Sequence, residues 1–178
     1  MRESSKSALG GVLAALSVSM MLLTYLSPFM VYASPAIAGL FVLILQYEAG
    51  RGWAFGEYAA VGLLSMILVA DKEAAVFYVC LFGLYPILQD IINHYIRLRV
   101  LRILIKFVVV NASLLLSFVL CLFVFGVTYD DLFERGKVFV VLFLLGMDFL
   151  LFLYDFLVRR LQDIYVRKLR KKLLRLFK

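Results

Sequence analysis

The side chains with most chemistry to offer are acidic and amide groups stranded in long apolar runs. Asp148 stands about ten residues into the run that begins at Val138, which at 1.5 Å per residue places it roughly 15 Å along a helix. Asn111 enters the run Phe107 to Tyr129 from the opposite end and reaches a comparable level. An ionisable group at such a depth costs about 2.5–3.5 kcal/mol on insertion scales, so it calls for a partner. Two readings stay open: Asn111 and Asp148 are polar anchors of a ligand cavity, or they share an interhelical hydrogen bond. Tyr78 and Tyr85, seven apart, fall on one helix face that suits either substrate stacking and hydroxyl contacts or plain aromatic packing. Glu57, close to Arg51, and Asp155, one turn before Arg159 and Arg160, read as ion pairs at the edge of a membrane.

Enzymatic constellations are missing. There is one histidine, His94, and the two cysteines, Cys80 and Cys121, lie in apolar runs without the paired spacing of metal or redox motifs. No nucleophile elbow, phosphate-cradling glycine loop or His-Glu-x-x-His pair occurs. The expectation is a protein that is not an enzyme and holds neither cofactor nor metal.

A second pattern is steric. Ser7, Gly11, Ala15 and Ser19 are four apart, with Gly10 and Ala14 adjoining, so one helix face is nearly bare of side chains. In lipid, where burying apolar surface against apolar surface gains little, close backbone approach is a main source of helix association. This row is expected to meet a partner protein. Gly52, Gly56 and Ala60 repeat the device, and there packing within the bundle is the expectation.

The elements that must carry these residues follow from composition. Of 178 residues 65% are hydrophobic and 17% charged, against about 45–50% and 25% in a soluble domain. Residues 1–158 are expected to form an all-α, six-helix transmembrane domain with spans Ala8 to Ser27, Phe29 to Tyr47, Trp53 to Ala70, Ala74 to Gln89, Phe107 to Tyr129 and Val138 to Val158. The regular part of the second begins at Ser34 or Pro35, and Pro86 threatens a kink in the fourth. Six crossings leave only Lys72, Arg135 and Lys137 of the 19 basic residues on one face, which puts both termini in the cytoplasm. Between Asp90 and Lys106, apolar residues recur at helical spacing among basic ones, the pattern of a cytoplasmic extension or linker helix. The tail, residues 159–178, is a basic amphipathic helix expected on anionic inner-leaflet lipid rather than on nucleic acid.

With this architecture, and with Ser7-Ala8-Leu9-Gly10-Gly11-Val12-Leu13-Ala14-Ala15-Leu16 at its start, the chain resembles the substrate-binding S-components of energy-coupling factor (ECF) transporters. In that family an Ala-x-x-x-Ala row on the opening helix docks on a membrane coupling subunit; here the row reads Gly11-x-x-x-Ala15. The resemblance implies a multi-pass protein of the bacterial inner membrane, capture of a small molecule such as a vitamin or its precursor, and transport driven by ATPases on separate chains. A competing expectation is a non-transport scaffold, similar to the rod-shape membrane proteins that organise cell-wall synthesis.

Overall fold

The computed structural model describes residues 3–27, 29–125 and 137–165, and these are helical with no strand among them. Helix α1 spans Glu3–Leu22 and tightens into a 3-10 turn over Leu23–Leu26; α2 is Met30–Ala49, α3 Arg51–Leu68, α4 Lys72–Phe77, α5 Tyr85–Tyr95, α6 Arg99–Phe125 and α7 Lys137–Ile164. A π turn, Tyr78–Phe82, joins α4 to α5. Among the described residues four stretches are long and apolar enough to cross a membrane: Glu3–Leu26, Met30–Ala49, Lys72–Tyr95 and Arg99–Phe123.

The distribution of side chains inverts that of a soluble protein. Leu63, Ile67, Phe123, Phe149 and Phe152 are among the large apolar residues turned outward, while Ser17, Glu57, Ser65, Gln89, Lys106 and Asp155 are buried. Water would penalise such an exterior, whereas hydrocarbon accepts it and drives polar groups inward.

Helices α1, α2 and α3 pack closely on one another and α4 and α5 fill the space beside α2. Gly50 alone connects α2 to α3, with φ 97 and ψ 172, backbone angles that side-chain-bearing residues avoid. One core cluster joins Met21, Ala38, Val42, Ala54, Val61 and Tyr78, from α1 to the π turn. Another joins Leu43, Leu81, Tyr85, Val110, Tyr154 and Val158 and so includes α6 and α7.

Three expectations change. Helix α2 starts at Met30, ahead of Pro35, because a proline near a helix start forfeits one hydrogen bond without ending the helix. The linker helix is not separate: α5 runs on to Tyr95, the chain breaks for three residues, and Arg99 already opens the long helix α6. The fourth span is not one continuous α-helix but α4, a π turn and α5. Helix α7 passes the expected boundary at residues 158–159 unbroken, and the rest of the basic tail lies outside the described residues, as do Arg135 and the end of the fifth run.

The break in the fourth span is chemically specific. In the π turn the Gly83 amide donates to the Tyr78 carbonyl at 2.8 Å, one residue further back than in an α-helix, so the Val79 carbonyl loses that donor. Pro86 has no N–H for the Phe82 carbonyl. Two tyrosines from other helices make good both losses: Tyr58 of α3 donates to Val79 O at 2.7 Å, and Tyr154 of α7 to Phe82 O at 3.1 Å. Gly39 of α2 lets the broken segment approach, since a Cβ there would stand 2.6 Å from Tyr154 Oη and 2.8 Å from the Phe82 carbonyl carbon.

Tyr58→Phe and Tyr154→Phe, each leaving a buried carbonyl unsatisfied, should therefore cost about 1–3 kcal/mol apiece. Gly39→Val should cost more than either. Thermal unfolding in detergent measures the order, and a Gly39→Val protein as stable as the parent would show that the crossing is looser than described.

Candidate functional site

The most densely connected polar group is Asp155 on α7. Its Oδ1 accepts from the Tyr85 hydroxyl at 2.5 Å, the Gln89 amide at 2.8 Å and the Lys106 ammonium at 3.2 Å, and its Oδ2 pairs with Arg159 one turn on. Gln162 extends the network by donating to Gln89 Oε1 at 3.4 Å. Lys106 is only 6% exposed, yet its charge is met by a carboxylate from a different helix. Helices α5, α6 and α7 are thus tied through one side chain. The same end of the bundle carries a half-exposed ion pair between Arg51 and Asp90 at 2.8 Å and the Tyr165–Glu48 hydrogen bond at 3.0 Å.

Asp155 was expected to pair with Arg159 and Arg160. Arg159 does so, whereas Arg160 lies over the Phe156 ring, 6.0 Å from its centroid. Lys106, Gln89 and Tyr85 went unforeseen as partners. Their signal was spacing: Tyr85 and Gln89 are four apart, and Asp155, Arg159 and Gln162 follow at intervals of four and three, so each set occupies one helix face.

Glu57 departs from its expected role. Arg51 is engaged by Asp90, and Glu57 faces inward, 5% exposed, where Oε1 meets Ser17 Oγ at 3.5 Å. Its other oxygen, Oε2, has no hydrogen-bond partner among the described residues. The cause is rotational, since six residues separate Arg51 from Glu57 and turn their side chains far apart around α3.

Two of the residues expected to hold a substrate, Tyr78 and Tyr85, have different neighbours. Tyr78 and Tyr85 belong to different core clusters, because the π turn between them takes up an extra residue and breaks their seven-residue register. Tyr78 packs on Tyr58 with ring centroids 6.1 Å apart, and Tyr85 serves Asp155. Asn111 is half-buried and donates to Phe107 O of its own helix at 3.0 Å. Asp148 is half-buried too, with Oδ1 unpartnered among the described residues. Cys80 is buried and Cys121 half-buried, both as free thiols. No group of three or more metal-ligating side chains occurs among the described residues.

On the outside, Ser7, Gly11, Ala15 and Ser19 of α1 are all exposed, and a Cβ on Gly11 would meet nothing within 4 Å. Gly52, Gly56 and Ala60 of α3 are likewise exposed, with open space at both glycines, so among the described residues they do not make the packing expected within the bundle. Trp53 and Glu57, which face α1 through Gly10 and Ser17, already occupy that contact. Three residues turn a helix by about 300°, so the Gly56 row lies roughly 60° from the Trp53 stripe and the Gly11 row roughly 60° from Ala14. Ala14 packs in the cluster that includes Ala54 and Val61 of α3. The two bare rows therefore flank the seam between α1 and α3.

Comparison with protein-family models, curated proteins and solved structures finds no match to this chain. Its function has to be read from its own residues.

The Asp155 network makes a stability prediction. Asp155→Asn leaves the buried Lys106 charge without its counter-ion and should cost about 3–5 kcal/mol, whereas adding Lys106→Met should recover most of that loss. A double-mutant cycle in detergent measures it; a double variant no more stable than Asp155→Asn would mean that Lys106 is not the group stranded.

Proposed function

We propose that this chain is the substrate-capturing membrane subunit of an ECF-type transporter, a six-span protein with both termini in the cytoplasm. The observation that carries the reading is the open row Gly11-x-x-x-Ala15 on α1, where the resemblance puts the docking surface for a coupling subunit. Counting α4, the π turn and α5 as one crossing, and adding α3 and α7 to the other long helices, gives the six spans. The interior charges cluster at the end holding Arg51, Lys106 and Arg159, the end that the distribution of basic residues assigns to the cytoplasm. Transport would be powered by ATPases on other chains, and the basic tail would rest on anionic lipid. Asp148, half-buried with one oxygen unpartnered among the described residues, is the acid assigned to the small-molecule ligand on this reading.

One observation favours a non-transport scaffold of the kind that organises cell-wall synthesis: Tyr78 and Tyr85 lie in different core clusters. Purification in mild detergent separates the readings. Co-purifying ATPases, a coupling subunit and a small molecule support transport, and wall-synthesis proteins without a ligand support the scaffold.

The docking face has its own test. Gly11→Leu with Ala15→Leu should insert and melt like the parent, since the added groups enter open space, while the yield of co-purifying membrane partner falls at least about tenfold. Unchanged partner yield would remove α1 from the interface.

A further inference from the structure

Where α1, α2 and α3 meet, the interior holds a carboxyl group with too few donors around it. Ser17 is 0% exposed, and Glu57 is buried beside it. Ser17 Oγ stands 3.4 Å from the Ala38 carbonyl oxygen and 3.5 Å from Glu57 Oε1. The Ala38 carbonyl already accepts an amide within α2, so the single serine proton is the one donor seen to reach the carboxylate. Glu57 Oε2 has no hydrogen-bond partner among the described residues. Among the described residues no ion pair reaches Glu57.

We propose that Glu57, Ser17 and the Ala38 carbonyl form an intramembrane site for one monovalent cation of the sodium class. The donor set is oxygen throughout, the preference of hard cations. Glu57 supplies a single negative charge, which neutralises a monovalent ion and would leave a divalent one with an excess. Spacing selects size. Neighbouring oxygens around an ion with bonds of about 2.3–2.6 Å, the calcium range that sodium shares, stand roughly 3.3–3.7 Å apart, whereas magnesium-length bonds of about 2.0–2.1 Å bring them to roughly 2.9 Å. The distances of 3.4 and 3.5 Å at Ser17 are long for hydroxyl hydrogen bonds and fit ligands of the larger ion. Asp155, also buried in this chain, has no such need, because Lys106 and Arg159 already answer its charge. The cation site is separate from the open rows on α1 and α3 and stands whether or not those rows dock a partner.

The test uses the full chain purified in mild detergent, with thermal unfolding followed at constant ionic strength as choline chloride is replaced by sodium or potassium chloride. The melting temperature should rise saturably with sodium and less with potassium, and Glu57→Gln should lose the rise. A parent protein indifferent to the salt supplied would assign a proton to Glu57 and overturn the proposal, as would a Glu57→Gln protein that keeps the sodium effect. If Glu57→Gln does not fold, equilibrium dialysis with radioactive sodium on the parent and Ser17→Ala decides. About one ion per chain is expected, bound about tenfold more weakly by Ser17→Ala; no bound sodium, or equal affinity in the two proteins, refutes the site.

Discussion

A backbone carbonyl inside hydrocarbon has to find its donor within the protein, and the interrupted helix between Lys72 and Tyr95 puts that rule under the greatest load. The π turn takes the Gly83 amide away from the Val79 carbonyl, and Pro86 denies one to Phe82. Hydroxyls of Tyr58 and Tyr154 supply the missing protons. Those two bonds tie both α3 and α7 to the break. Gly39 then lets α2 close against the Phe82 carbonyl, and Tyr154 packs edge-on against Phe82, with ring centroids 5.1 Å apart. Much of the bundle is organised around one defect in one helix.

The two buried acids show opposite solutions to burying charge. Asp155 draws a hydroxyl, an amide, an ammonium and a guanidinium, so its ionised form is over-supplied with donors and acts as a knot between α5, α6 and α7. Glu57 meets one serine shared with a carbonyl. A fully answered charge fixes geometry, and an under-answered one invites a further positive group. The contrast explains why the Asp155 network reads as architecture although it contains the most charges.

Apolar run length made the helical membrane architecture legible in the sequence, and the small-residue rows on α1 and α3 could be named from four-residue spacing alone. Hidden was helix rotation. Glu57 and Arg51 look like neighbours in the chain, yet Arg51 turns to Asp90 and Glu57 turns inward, and no pattern in that stretch specifies which. Register failed at the π turn for a related reason. Tyr78 and Tyr85 share a face only while 3.6 residues make a turn, and the wider turn between them sends one to the α1–α3 side and the other to Asp155. Lys106 was counted as a boundary charge, since a lysine at the start of an apolar run ordinarily reaches toward headgroups. Its burial depends on a carboxylate forty-nine positions away, which single-sequence periodicity cannot reveal.

The outward surfaces complete the energetics. In lipid, Leu63, Ile67 and Phe123 lose nothing by facing out, so apolar burial supplies little of the bundle's cohesion. Cohesion comes from the tyrosine–carbonyl bonds, the Asp155 knot and close contacts at small residues such as Gly10 and Gly39. Among the described residues Gly11, Gly52 and Gly56 have open space where a side chain would stand, and Ala15 and Ala60 are exposed. Lipid chains are mobile and pack against bare backbone with fewer atoms in register than a complementary helix provides. The bare rows are thus mechanically separate from the charged interior that holds the bundle together.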